Sequence, residues 1–129
     1  MELWMLVLLL PALLVGFSYW KGYRSPARLR EMAEAVADGA TLVDVRTPTE
    51  YSGGHHLRAR NIPLGELRGA LDELGDREDP VVLYCRSGSR SGQAKQMLEQ
   101  AGFTRVMDLG PYRNILKLPE VARAQRQHA

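Results

Sequence analysis

Four consecutive apolar residues, Val81-Val82-Leu83-Tyr84, follow Pro80 and run directly into Cys85. A strand with one face in water alternates apolar and polar residues, so an unbroken run predicts a strand buried on both faces, as in parallel sheets. Such a sheet needs helices on either side, and the flanking sequence supplies them. Ser25-Pro26 reads as an N-cap followed by proline at the first helical position, and Leu29, Met32, Ala33 and Val36 recur at helical spacing before a stop at Gly39. Thr41 to Val45 is rich in β-formers, and Thr47-Pro48-Thr49-Glu50 has the spacing of a capping box that opens a brief helix ended by Gly53-Gly54. Leu64, Leu67, Leu71 and Leu74 fall on one face of an amphipathic helix. Beyond Cys85, a Gly- and Ser-rich turn leads into a further helix with Ala94, Met97, Leu98 and Ala101 facing inward and Gly102 just past its end. Arg105 to Leu109 reads as the last strand, followed by Gly110-Pro111. This alternation predicts an α/β fold, a mostly parallel sheet covered by helices on both faces.

The N-terminal segment has a different character. Leu3 to Trp20 contains no charged residue, and eighteen helical residues span about 27 Å, close to a thin bilayer's hydrocarbon core. Trp4 near one end and Tyr19 and Trp20 near the other suit the two interfaces. A cleaved signal peptide would want a basic start and a small-residue exit, whereas this segment has Glu2 before it and Phe17, Tyr19 and Trp20 at its end. One transmembrane helix is therefore expected ahead of the α/β domain. Lys21, Arg24, Arg28 and Arg30 come before any further acid, which by the positive-inside rule puts the domain in the cytoplasm and the N-terminus outside. The expected organisation is an anchor and hinge over 1–24, a domain over 25–118 and a polar tail over 119–129.

Ligands of open α/β sheets bind beyond the carboxyl ends of the strands, and Cys85 occupies that position on the most apolar strand. It is the only cysteine in the chain, which excludes an intramolecular disulfide and a Cys-rich zinc site. The loop Cys85-Arg86-Ser87-Gly88-Ser89-Arg90-Ser91 has small residues that let backbone N–H groups converge on one point, and it opens a helix whose N-terminus is partly positive. Such a cradle, with Arg86 and Arg90, favours a charged thiolate on Cys85. The adjacent His55 and His56 point apart on an extended chain, and no Cys, His or Asp cluster joins them, so no metal site is expected. A net charge of +2, from 17 Lys and Arg against 15 Asp and Glu, gives no ground for nucleic-acid binding.

The stretch Leu42-Val43-Asp44-Val45-Arg46, then Glu50-Tyr51, Gly54-His55, Ala59, Asn61-Ile62-Pro63 and the run from Val81 to Arg90, resembles a single-domain rhodanese, a sulfurtransferase. The likeness covers about residues 28 to 113 and rests on two separate motifs in order. It implies that Cys85 takes a sulfane sulfur from a donor such as thiosulfate, holds it as a persulfide and passes it to a thiophilic acceptor, with no cofactor. It also implies that Arg86, Ser87, Gly88, Ser89 and Ser91 cradle the persulfide, that Arg90 contacts the anionic donor, and that Asp44 and Arg46 support the loops by pairing. Because no second cysteine can resolve the persulfide, the acceptor is expected to be external, cyanide in an assay or a thiol in a cell.

The pattern is broken at His56, where an aliphatic residue is usual, at Arg58, where glycine is usual, and at Gly110-Pro111-Tyr112. Arg58 and the Pro111 segment are expected to border the site's entrance. Two other functions compete: a rhodanese-like membrane adaptor or passive sulfur carrier, and a Cys-dependent phosphatase. A phosphatase loop has five residues between Cys and Arg, against four between Cys85 and Arg90.

Overall fold

The computed structural model describes residues 2–21 and 23–118. In chain order the elements are α1 (Leu3–Lys21), α2 (Pro26–Ala37), β1 (Thr41–Asp44), α3 (Pro48–Ser52), β2 (Ala59–Asn61), a 3₁₀ helix (Leu64–Leu74), β3 (Val81–Cys85), α4 (Ser89–Gln100), β4 (Val106–Pro111) and α5 (Tyr112–Ile115). The four strands form one parallel sheet in the order β2-β1-β3-β4.

All five residues of β3 are buried, and their alternation divides two cores. Val81, Leu83 and Cys85 join Val43, Leu67, Leu74, Ala94 and Leu98 on one face, beneath the 3₁₀ helix and α4. Val82 and Tyr84 join Met32, Val36, Leu42, Leu109 and Ile115 on the other, beneath α2 and α5. The apolar run therefore serves two hydrophobic layers, as a central parallel strand must.

The expected helix starts are in place. Ser25 Oγ accepts from the Arg28 N–H at 3.3 Å ahead of Pro26. Thr47 Oγ1 accepts from Glu50 N–H at 3.2 Å while Glu50 Oε1 accepts from Thr47 N–H at 3.2 Å, a complete capping box. Gly39 follows α2 with φ of 106°, a conformation that favours glycine.

Three elements differ from expectation. Leu64–Leu74 is a 3₁₀ helix, with Leu67 and Leu74 buried as foreseen. Gly65 and Gly69 each weaken an α-helix by about 1 kcal/mol, and in the tighter winding Ala70 packs with the leucines. Strand β2, unforeseen, has three residues of which only Ala59 is buried, too short a run to show a period. Strand β4 continues past Leu109 to Pro111 through a register shift opposite Leu83 and Tyr84, with Gly110 at φ of 82°.

The described side chains of α1 from Leu3 to Phe17 are exposed and cover about 22 Å of helix. Among the described residues no helix is long and apolar enough to cross a membrane, so α1 is a helix of exposed apolar residues, not a demonstrated span. Two members of the basic cluster after it are engaged: Arg24 donates to Asp108 O at 2.9 Å and pairs with Asp108 Oδ2 at 3.2 Å, and Arg28 pairs with Glu31 at 3.1 Å. The expected polar tail, 119–129, lies outside the described residues.

Candidate active site

The carboxyl ends of β1, β3 and β4 carry Asp44, Cys85 and Pro111, so three separate segments meet at one edge of the sheet. Cys85 ends the central strand and is completely buried. The chain then turns through Arg86 to Gly88, where φ of 97° calls for glycine, and enters α4. That turn aims the Gly88 N–H at Cys85 Sγ, 2.9 Å away. Ser91, one turn into α4, places its hydroxyl 3.5 Å from the sulfur, and the same hydroxyl donates to Gly88 O at 3.1 Å. With Cys85 as a thiol, its S–H donates to Ser91 Oγ; with a thiolate, the serine hydrogen can rotate to the sulfur. Gly88 and Ser91 thus hold either protonation state, and the Gly88 N–H is the described member of the expected cradle.

The loop is supported from behind. A Cβ placed on Gly88 would meet Pro111 Cδ at 3.5 Å and Gly110 Cα at 3.8 Å, and Tyr112 N–H donates to Arg86 O at 3.2 Å. The Gly110-Pro111-Tyr112 segment therefore borders the loop as expected. Arg58 does not border it: its guanidinium donates to Val36 O at the end of α2, at 3.0 Å. The expectation fails because the Gly54–Arg58 turn carries this residue towards α2 and away from the strand ends. His55 and His56 also go separate ways. His55 stacks on Tyr51 with ring centroids 3.6 Å apart, while His56 is buried and accepts from Arg58 N–H through Nδ1 at 3.1 Å.

Asp44 and Arg46 form a closed pair. Arg46 Nε lies 3.0 Å from both carboxylate oxygens and a terminal nitrogen lies 2.6 Å from Oδ2, with side chains 6% and 0% exposed. Arg46 also donates to Gly54 O at 2.6 Å, and its guanidinium lies 4.5 Å from the Tyr112 ring centroid and 5.6 Å from that of Tyr84. Burial alone would lower the Arg46 pKa, but the hydrogen bonds and charge of Asp44 hold it above the usual arginine value. Burial, reinforced by Asp44, likewise raises the Tyr84 phenol above its ordinary range.

Arg90 is placed as the sequence did not foretell. Its two terminal nitrogens meet the two carboxylate oxygens of Glu50 at 2.7 and 3.0 Å, a bidentate pair between α4 and α3. Bonding to Arg90 pulls the Glu50 carboxyl down to about 2, and Glu50 raises Arg90 above its usual value. Sequence reading placed Glu50 in its capping box and in the family motif, with no partner in the cysteine loop. No local spacing links positions forty residues apart; the loops meet because adjacent parallel strands end on the same side. Arg86 is exposed and has no ion pair among the described residues.

A cavity of about 260 Å³ opens beside the loop, lined by Arg46, Glu50, Gly54, Arg86 and Tyr112 among others. A larger one of about 530 Å³ lies between α2 and Leu118 and contains no residue of the cysteine loop. The smaller is lined by Arg86, the residue that follows Cys85, so it is the candidate site. Among the described residues no group of three or more His, Cys, Asp or Glu side chains could hold a metal ion.

The parallel sheet, the buried strand-end cysteine and the glycine turn over it are those of a rhodanese-like domain. The chain belongs to that family, whose model matches residues 25–110. It is similar to the protein YqhL of Bacillus subtilis, 47% identical over 54% of this chain and 55% of that protein, so the match spans about half of that relative. It is also similar to the thiosulfate sulfurtransferase PspE of Escherichia coli, 39% identical over 61% of this chain and 76% of that one. Among solved structures, the human single-domain sulfurtransferase TSTD1 superposes with a TM-score of 0.62 at 33% identity, covering 69% of this chain and 92% of that one.

Proposed function

We propose that the domain is a sulfurtransferase of the rhodanese type, acting through a persulfide on Cys85. The observation that carries this reading is the sulfur itself: a lone buried cysteine at the end of the central strand, with a backbone N–H at 2.9 Å and arginines on either side of the glycine turn. The Cys85 thiolate attacks the outer sulfur of a donor such as thiosulfate. A new S–S bond forms as the donor's S–S bond breaks, and sulfite leaves with the bonding pair. The Gly88 N–H and the Ser91 hydroxyl stabilise negative charge on the sulfur. A second thiophile, cyanide or an external thiol, then takes the outer sulfur and restores the thiolate. The names of the relatives, a thiosulfate sulfurtransferase and a single-domain sulfurtransferase, support this chemistry.

Exposure of the soluble part to thiosulfate should add one sulfur to its intact mass, and Cys85→Ser should abolish the gain. A serine variant with full thiosulfate:cyanide activity would exclude Cys85 as the nucleophile, and a wild-type chain that never gains sulfur would favour an adaptor.

The proposal extends to placement. The uncharged run from Leu3 to Trp20, the exposed apolar side chains of α1 and the basic residues after it support an anchor over 1–24 that holds the 25–118 domain at the cytoplasmic face of a lipid bilayer. Full-length chain should need detergent for extraction, and release by alkaline carbonate would remove the spanning reading.

A further inference from the structure

Arg24 lies on the link between α1 and α2, and its guanidinium is spread over the end of β4. Nε donates to Asp108 O at 2.9 Å, one terminal nitrogen pairs with Asp108 Oδ2 at 3.2 Å, and the other donates to Tyr23 O at 3.0 Å. The two side chains of the pair are only 19% and 14% exposed, so solvent screens this contact far less than an ordinary surface pair. Asp108 is tied a second time, because its Oδ1 accepts from Gly110 N–H at 2.8 Å. Asp108 and Gly110 stand opposite Leu83 and Tyr84 of β3, which leaves Leu109 as the extra residue of a bulge. One carboxylate bridges the bulge, and Arg24 holds that carboxylate.

The bulge in turn backs the cysteine loop. A Cβ on Gly110 would lie 3.3 Å from the Arg24 guanidinium, while Gly110 Cα and Pro111 stand against Gly88. Gly88 is the residue whose N–H meets Cys85 Sγ at 2.9 Å. Asp108 also lies beside Gly92 in the first turn of α4, where a Cβ would come within 3.9 Å of its Oδ2. We infer that Arg24 is a positioning residue for the sulfur chemistry: from the link after α1 it fixes the β4 bulge, and through Gly110 and Pro111 it fixes the direction of the Gly88 N–H. This rests on the transfer reading and adds to it a residue outside the cysteine loop. Sequence reading placed Arg24 only among the basic residues that follow the apolar segment. Its geometry makes the link between α1 and the domain part of the support of Cys85. Without the guanidinium, Asp108 is left largely covered and without its cation, and its turn towards water would take the bridge away from Gly110.

The test is single-turnover persulfide formation from thiosulfate, read by intact mass, on full-length protein in detergent: wild type, Arg24→Ala, Gly88→Ala and the double variant. A loss of folded protein lowers the amplitude, whereas a misdirected N–H lowers the rate constant. Arg24→Ala should lower the rate constant by about threefold to tenfold, part of what a hydrogen bond to a charged group carries, with the amplitude kept. In the Gly88→Ala background, where the N–H is already turned away, the same substitution should cost less than about twofold. Asp108→Asn keeps an oxygen for the Gly110 N–H but gives up the charge that holds Arg24; it should act in the same direction, and it stands in if Arg24→Ala does not fold. Equal factors in the two backgrounds, or an unchanged rate constant, overturn the inference. A second readout needs no sulfur transfer: a bulky maleimide should alkylate Cys85 in native Arg24→Ala about threefold faster than in wild type, because the loop opens more often. If wild-type protein gains no sulfur from thiosulfate, the transfer reading fails, and the maleimide rate decides the positioning role alone, an unchanged rate removing it.

Discussion

Asp44 and Arg46 form a buried charged pair at the end of β1, and Arg46 also lines the candidate cavity. Asp44 is fully buried, and Arg46 uses the pair's geometry to reach Gly54 O and lie against Tyr112. Asp44→Ala leaves a buried guanidinium uncompensated and should cost about 3–5 kcal/mol of unfolding free energy in a denaturant titration. Arg90→Ala has a different signature: Glu50 is left facing the cavity with its charge uncovered. Thiosulfate kcat/KM should fall by roughly ten- to a hundredfold, and the double variant with Glu50→Gln should recover part of that loss. A double variant no better than Arg90→Ala would place Arg90's effect elsewhere. Glu50 also links folding to pH. Its folded pKa of about 2 lies below the ordinary 4.5, so its contribution is complete above about pH 4.5 and lost as pH falls towards 2. Denaturation at pH 7 and pH 3 should show a smaller stability loss in Glu50→Gln than in wild type.

At the scale of elements, the glycine turn between β3 and α4 decides whether the sulfur meets a backbone donor. Gly88 sits at φ of 97° with Pro111 and Gly110 against it. Alanine there meets only ordinary contacts, so the cost is conformational, about 1–2 kcal/mol for a side chain held in the left-handed region. The strain is relieved by turning the N–H away from Cys85. Gly88→Ala should therefore lower the rate of persulfide formation far more than it lowers melting temperature; a variant with unchanged sulfur loading would show that the cradle does not depend on this N–H. Helix α3 plays the complementary part. Its capping box was legible because cap, proline and glutamate lie within four residues, whereas its second task, carrying Glu50 to Arg90, depends on contacts between loops far apart in sequence.

For the whole molecule, the sheet order β2-β1-β3-β4 puts the most apolar strand in an interior position and gathers the functional ends on one edge. Complete burial of Cys85 has a kinetic consequence. A bulky thiol reagent should alkylate native protein much more slowly than a small one, with the difference vanishing in denaturant. Equal native rates would show the loop opening freely. The larger cavity beside α2 contains no residue of the cysteine loop, so size alone points away from the cysteine.

The sequence by itself determined the fold class, the cysteine at a strand end, the helix caps and the glycine turn, because each is written in residues a few positions apart and follows from strand or helix period. It did not reveal β2, whose three residues form a strand only by pairing with β1. Nor did it reveal the 3₁₀ winding of Leu64–Leu74, or which arginine of the loop is paired with a carboxylate. That last choice belongs to tertiary structure: the field at the sulfur depends on which carboxylates the fold brings within contact, and Glu50 and Arg90 meet only once β1 and β3 lie side by side.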